Sequence, residues 1–219
     1  MKTDYKDVVV HKPWGYEYLF YENEQVAIWC LHINKGESTS LHCHPKKKTG
    51  LIMLSGEATL SFLNDTMELK PLSRLIIRPG LFHSTKALSN EVVLLEVETP
   101  PEKEDIVRFD DKYGRKGLPI EGNCCMSERP KEYPVLDEVG ECMINGCTIE
   151  RKQYSYAKTG DIIAVLYGGI FSKRRFKKDQ LLVGPGDVGT IESFSRLSKS
   201  FYVPPHTELL TICAPQPSD

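Results

Sequence analysis

What the 219-residue chain lacks narrows its class first. It has no basic excess: 28 Lys and Arg stand against 30 Asp and Glu, a formal net charge of −2. No overall positive field therefore recruits nucleic acid or a membrane surface. No apolar run approaches the length of a membrane span. The opening Met1-Lys2-Thr3-Asp4-Tyr5-Lys6-Asp7 is charged and followed by three apolar residues, Val8 to Val10, so a secretory leader is not expected. The seven cysteines form no CxxC pair and no zinc-ribbon spacing. An odd set of this kind without an export signal reads as reduced thiols of a cytoplasmic protein. The basic cluster Lys173-Arg174-Arg175-Phe176-Lys177-Lys178 holds one aromatic residue, too little stacking surface for a single-stranded nucleic acid, and reads as a solvated hairpin tip.

Helical spacing is also scarce. Between residues 26 and 98 the chain is a series of short β-type runs broken by turn residues: Val26–Ile33 before Asn34-Lys35-Gly36, Leu51–Leu54 before Ser55-Gly56, the alternating Ala58, Leu60 and Phe62, then Leu75–Ile77 and Val92–Val97. Strands this short and closely spaced close as a sandwich or barrel. From Thr99 to about Pro134 prolines and charges dominate, as in a linker or an arm packed over a barrel. Strand-like runs resume at Asp161–Tyr167, Leu181–Val183, Asp187–Ile191, Phe201–Val203 and Glu208–Cys213, and Lys158-Thr159-Gly160 echoes Lys48-Thr49-Gly50. The expected organisation is a barrel over 1–115, a linker or arm over 116–134 and a second β domain over 135–219. Sheet edges left open by such barrels favour a homodimer.

Two of the six histidines stand at i and i+2, His42-Cys43-His44. On a strand that spacing turns both imidazoles to one face, ~7 Å apart along the chain. Such a pair converges on a metal when the face looks into a barrel. His83, after Arg78-Pro79-Gly80-Leu81-Phe82, is the candidate third ligand. Three imidazoles suit a divalent zinc, manganese, iron or nickel ion without selecting one.

Gly36, His42-x-His44, Thr49 and Gly56 have the spacing of the first cupin motif, and Gly80-x-x-His83 matches the end of the second. On these residues the chain resembles the cupin superfamily. Thr49 stands where that motif carries a glutamate ligand, Leu72 where the second motif opens with glycine, and Arg78 where it has proline, with Pro79 next door. A narrower resemblance covers roughly residues 11 to 115. Lys12-Pro13-Trp14-Gly15-Tyr16-Glu17 and Asp105-Ile106-Val107-Arg108-Phe109-Asp110-Asp111-Lys112-Tyr113-Gly114-Arg115 resemble the strings that flank the cupin module of type II phosphomannose isomerases. The resemblance implies an all-β, jelly-roll-like cupin barrel; the C-terminal half lies outside it and is expected, from its repeated order of strands and turns, as a degenerate cupin-like second β half.

It also implies a sugar or sugar phosphate as ligand. Aldose–ketose isomerisation moves a proton between neighbouring carbons while a Lewis acid holds the oxygens. Glu96 and Glu98 share a strand face and can supply the base, and Glu17 and Tyr16 are the other catalytic candidates. Lys47, between His44 and Thr49, and Arg78 are candidate clamps for an anion, and Thr49 completes the substrate-facing set. Three readings stay open: a metal-dependent sugar-phosphate or nucleotide-sugar isomerase or epimerase of surface-polysaccharide precursor metabolism, a non-catalytic carbohydrate-binding or regulatory cupin, and a three-histidine iron oxygenase.

Overall fold

Short apolar runs punctuated by Gly, Pro and Asn fold here into antiparallel sheets. The computed structural model describes residues 4–116, 125–136, 140–157, 162–172 and 180–214, and the chain divides into two units, Met1–Tyr133 and Pro134–Asp219. Lys158-Thr159-Gly160 and the basic cluster 173–178 lie outside the described residues.

The first unit holds β1 (Val8–Lys12), β2 (Gly15–Glu22), β3 (Ala27–Ile33), β4 (Leu41–Cys43), β5 (Lys48–Ser55), β6 (Ala58–Phe62), β7 (Thr66–Leu69), β8 (Arg74–Ile77), β9 (His83–Ala87), β10 (Val92–Thr99), β11 (Val107–Asp110) and β12 (Met126–Glu128). One sheet runs β12-β1-β2-β3-β10-β5-β8 and the other β11-β4-β9-β6-β7. The result is the cupin barrel. Strand β10 lies between β3 and β5 and is buried on both faces, which is why it reads as an almost unbroken apolar run. Leu31, Leu51 and Leu94 of the larger sheet pack in one cluster with Ala58, Leu60 and Ala87 of the smaller. Each leucine so buried contributes roughly 1.5–3 kcal/mol.

Two backbone positions matter for the site. Gly15 (φ +147°) starts β2 where an added Cβ would lie 2.0 Å from the His32 carbonyl oxygen, so only glycine lets β2 approach β3 there. Leu72 adopts φ +69°, the left-handed conformation that explains why the second cupin motif opens with glycine. The β1–β2 hairpin precedes the run of strands expected from Val26 onward. Part of the stretch read as linker or arm, Met126–Glu128, pairs with β1 and extends the larger sheet.

The second unit contains β13 (Glu141–Ile144), β14 (Cys147–Gln153), β15 (Ile162–Tyr167), β16 (Ile170–Phe171), β17 (Leu181–Val183), β18 (Val188–Thr190), β19 (Glu208–Cys213) and helix α1 (Ile191–Ser198). Its main sheet runs β13-β14-β19-β15-β18. Asn145-Gly146, both at positive φ, makes the tight β13–β14 turn. The run Asp187–Ile191, expected as strand, instead ends at Thr190. The Thr190 hydroxyl accepts the Ser193 N–H at 3.2 Å and caps α1, whose Ile191 and Phe194 pack with Ile163, Val165 and Leu209. No helix among the described residues is long and apolar enough to cross a membrane.

Candidate metal centre

The smaller sheet builds the histidine site by register. Across β11, β4 and β9, Arg108 stands opposite His42 and His42 opposite His83, so the three side chains share a face. His44 follows β4 by one residue and keeps to that face by the period of two. Ring centroids are 4.9 Å apart for His42–His44, 4.6 Å for His42–His83 and 5.4 Å for His44–His83. One nitrogen from each ring lies within 4.8 Å of the others. Bonds of about 2.0–2.1 Å to a common ion set neighbouring ligand nitrogens about 3–3.5 Å apart, inside that limit.

Each ring is oriented through its other nitrogen. Nδ1–H of His42 donates to the Ser40 carbonyl at 2.8 Å, that of His44 to the Asp105 carbonyl at 2.7 Å, and that of His83 to the Leu81 carbonyl at 3.0 Å. Anchoring at Nδ1 leaves the Nε2 lone pairs for a ligand, the arrangement usual for metal-binding imidazoles. His44 Nε2 is buried without a hydrogen-bond partner. Burial, reinforced by the neighbouring rings, holds His42 well below its usual value, and burial lowers His83 to about 4. Neutral imidazoles are the form that binds a cation, so the donor set fits a divalent ion.

The larger sheet adds carboxylates. Glu17 on β2 and Glu96 and Glu98 on β10 face the same interior, because Glu17 is level with Leu31 and Leu94, two residues from Glu96. Glu96 Oε1 lies 3.7 Å from His44 Nε2, and His44, Glu96 and Glu98 form a second group able to hold a cation. Burial pushes Glu96 up, but His44, Lys47 and Lys103 outweigh it and hold the carboxyl well below the usual range. Glu17 is shifted the same way: burial opposes, while Lys103 at 2.5 Å and Lys12 at 3.3 Å prevail. Lys103 also lies 3.5 Å over the Trp29 ring.

Several candidates read from the sequence stand elsewhere than expected. Tyr16 is on the opposite face of β2 from Glu17, stacked at 4.4 Å on His32 and at 5.3 Å on Tyr133, and does not line the cavity beside the histidines. Strand alternation puts only one of two consecutive residues inside. Arg78 is exposed on the loop after β8 and is also not among the cavity's lining residues. Lys47 does line the cavity, but as a buried ion pair with Glu98 rather than a rim clamp. Thr49 is fully buried opposite Glu98, and its hydroxyl has no partner.

Asp105, Lys103, Lys12 and Arg108 were not singled out. The Asp105 carboxylate accepts the backbone N–H groups of Lys46 and Lys47, each at 2.9 Å, while its carbonyl orients His44. Lys12, Lys103 and Arg108 line the cavity with Glu17 and Glu96. The flanking strings carry Lys12, Asp105 and Arg108 in sequence, while Lys103 lies outside them.

A family model described as Mannose-6-phosphate isomerase C-terminal matches residues 2–111, half of the chain. No curated protein sequence matches. Among solved structures, KdgF from Halomonas sp. is 13% identical with a TM-score of 0.40, over 42% of this chain and 84% of that one. A cupin-2 domain protein from Shewanella frigidimarina is 16% identical with a TM-score of 0.35, over 38% and 78%. The capsular polysaccharide assembling protein CapF from Staphylococcus aureus is 14% identical with a TM-score of 0.42, over 47% of this chain and 34% of CapF.

Proposed function

Because the chain belongs, through residues 2–111, to the mannose-6-phosphate isomerase C-terminal family, we propose that its first unit is a metal-dependent isomerase of a sugar phosphate. One observation carries the reading: three imidazoles anchored at Nδ1 turn Nε2 toward one point, with the Glu96 carboxylate 3.7 Å from the nearest of them. A divalent ion on His42, His44 and His83 would polarise a sugar carbonyl and its neighbouring hydroxyl. Glu96 takes the proton from the carbon beside the carbonyl and returns it to the former carbonyl carbon, while the neighbouring hydroxyl's proton passes to the carbonyl oxygen, so no group is gained or lost. Lys12 and Lys103 hold Glu17 in place at the cavity wall. Arg108, level with His42 on the neighbouring strand, meets the anionic end of the substrate.

A second reading, a carbohydrate-binding cupin without turnover, is favoured by Thr49 at the position of the motif glutamate. Metal analysis followed by an assay in D2O separates the two. Mannose 6-phosphate and other aldose 6-phosphates are incubated with metal-loaded protein, and conversion to the ketose with solvent deuterium at C1 is expected. Metal retained on the histidines with every sugar phosphate returned undeuterated would replace the first reading by the second.

A further inference from the structure

A second set of donors overlaps the histidine trio at one residue. Glu96 and Glu98 alternate with Val97 on β10, so both carboxylates point to the barrel interior. Thr49, at the place of the motif glutamate, stands opposite Glu98. The acidic side chains here therefore come from β10, one strand from where the motif puts its own. His44 reaches them from the smaller sheet. His44, Glu96 and Glu98 each offer a ligand atom within 4.8 Å of the other two, are at most 9% exposed, and line the same cavity. Glu96 Oε1 and His44 Nε2 stand 3.7 Å apart, near the ~3–3.5 Å between neighbouring donors on one ion.

Charge and donor type separate the two sets. Three neutral imidazoles bring no charge to a dication and suit zinc, iron or nickel. Two carboxylates and one imidazole bring two negative charges, and oxygen donors suit manganese or magnesium. Lys47, ion-paired with Glu98, and Lys103, whose charge acts on both carboxylates, set the affinity below that of a bare carboxylate pair. His44 cannot serve both sets at once: its Nδ1–H is given to the Asp105 carbonyl, which leaves Nε2 alone. We infer that His44, Glu96 and Glu98 form a second cation position, selective for an oxygen-preferring divalent ion and mutually exclusive with the three-histidine one. An ion there would also occupy Glu96 and stop the proton transfer assigned to it. That consequence rests on the isomerase reading; the position itself does not.

Manganese titrations followed by electron paramagnetic resonance test it on the full chain, with zinc as the comparator. His42→Ala/His83→Ala dismantles the histidine trio and leaves the second set whole. This variant should bind one manganese within about threefold of the wild-type affinity, and adding Glu98→Gln should weaken that by about tenfold or more. In the otherwise wild-type chain Glu98→Gln should weaken manganese about tenfold and leave zinc within about threefold, which serves if the double variant does not fold. Glu96→Gln repeats that comparison if Glu98→Gln, by stranding Lys47, unfolds. Zinc added to the manganese-loaded protein should release the manganese, because both ions need His44 Nε2. No manganese on folded His42→Ala/His83→Ala, equal losses of the two metals in the Gln variants, no loss of either, or simultaneous binding of both would overturn the position. Zinc held by the wild-type protein reports the histidine centre separately, so these outcomes leave the isomerase reading to its own test.

Discussion

The two units share an antiparallel scaffold and differ in what their interiors contain. In the first, Glu17, His42, His44, Lys47, His83, Glu96, Glu98, Asp105 and Arg108 are all buried. In the second, the buried polar residues among those described are Thr207 and Thr211, and the core is Ile163, Val165, Ile170, Ile191, Phe194 and Leu209. Burying an ionised group costs several kcal/mol even after relaxation, and its partner's attraction repays that only in good geometry. The second unit's core is built without such groups. The buried charges of the first unit are therefore costly to its fold, and the proposed function supplies a reason for them that stability does not.

The sharpest way to break the comparison is His42→Ala/His44→Ala. Bound metal, measured by elemental analysis, should be lost entirely while circular dichroism keeps its β signature, because the second unit holds no part of this ligand set. Next in size, Lys47→Ala strands Glu98 in the interior and should destabilise the first unit by about 3–5 kcal/mol in denaturant. Lys47→Met with Glu98→Leu removes both charges and should restore stability to near wild type or above it. A double variant as weak as the single one would mean that the pair itself holds the barrel. In the second unit Leu209→Ala, with no charge involved, should cost about 2–5 kcal/mol through the cavity it leaves.

The smallest effect concerns acid. Burial lowers His32 to about 4, while the unfolded chain titrates near 6.5. Above 6.5 the residue is neutral in both states and contributes nothing. As pH falls from 6.5 towards 4 the unfolded chain takes the proton first, so stability drops through that window and levels off below it. His32→Phe keeps the stack on Tyr16 and should flatten the decline, by on the order of 1 kcal/mol at pH 5. Denaturation midpoints of the two proteins between pH 7 and 4 measure the difference, since the remaining histidines are common to both.

How much of this was legible in the sequence follows from the range of the interactions. The barrel was, because its strands are local patterns, and so was the histidine pair, because i and i+2 share a face whatever the register. Glu96 and Glu98 were legible as a pair for the same reason. The choice between Tyr16 and Glu17 was not: alternation says that one faces inward, and only the pairing of β2 with β3 says which. Lys47 was legible as a cation beside the histidine pair and read as an anion clamp, but its burial depends on a glutamate 51 residues away. Helix α1 had its signal in Thr190 followed by Ile191 and Phe194 at helical spacing, but a preceding Val188–Thr190 strand masked where the period changes.

Asp105 has a consequence for exchange. Its carbonyl orients His44 and its carboxylate grips the amides of Lys46 and Lys47, so the strap between β10 and β11 and the loop after β4 are fastened by one residue. Swinging the strap aside would release the ring of His44 in the same motion. Under the proposed metal site, a filled centre would latch the strap and an emptied one would leave it loose. Deuterium uptake at the Lys46 and Lys47 amides reads that latch directly, and should slow when metal is added. Uptake indifferent to metal would mean that the strap and the centre move independently.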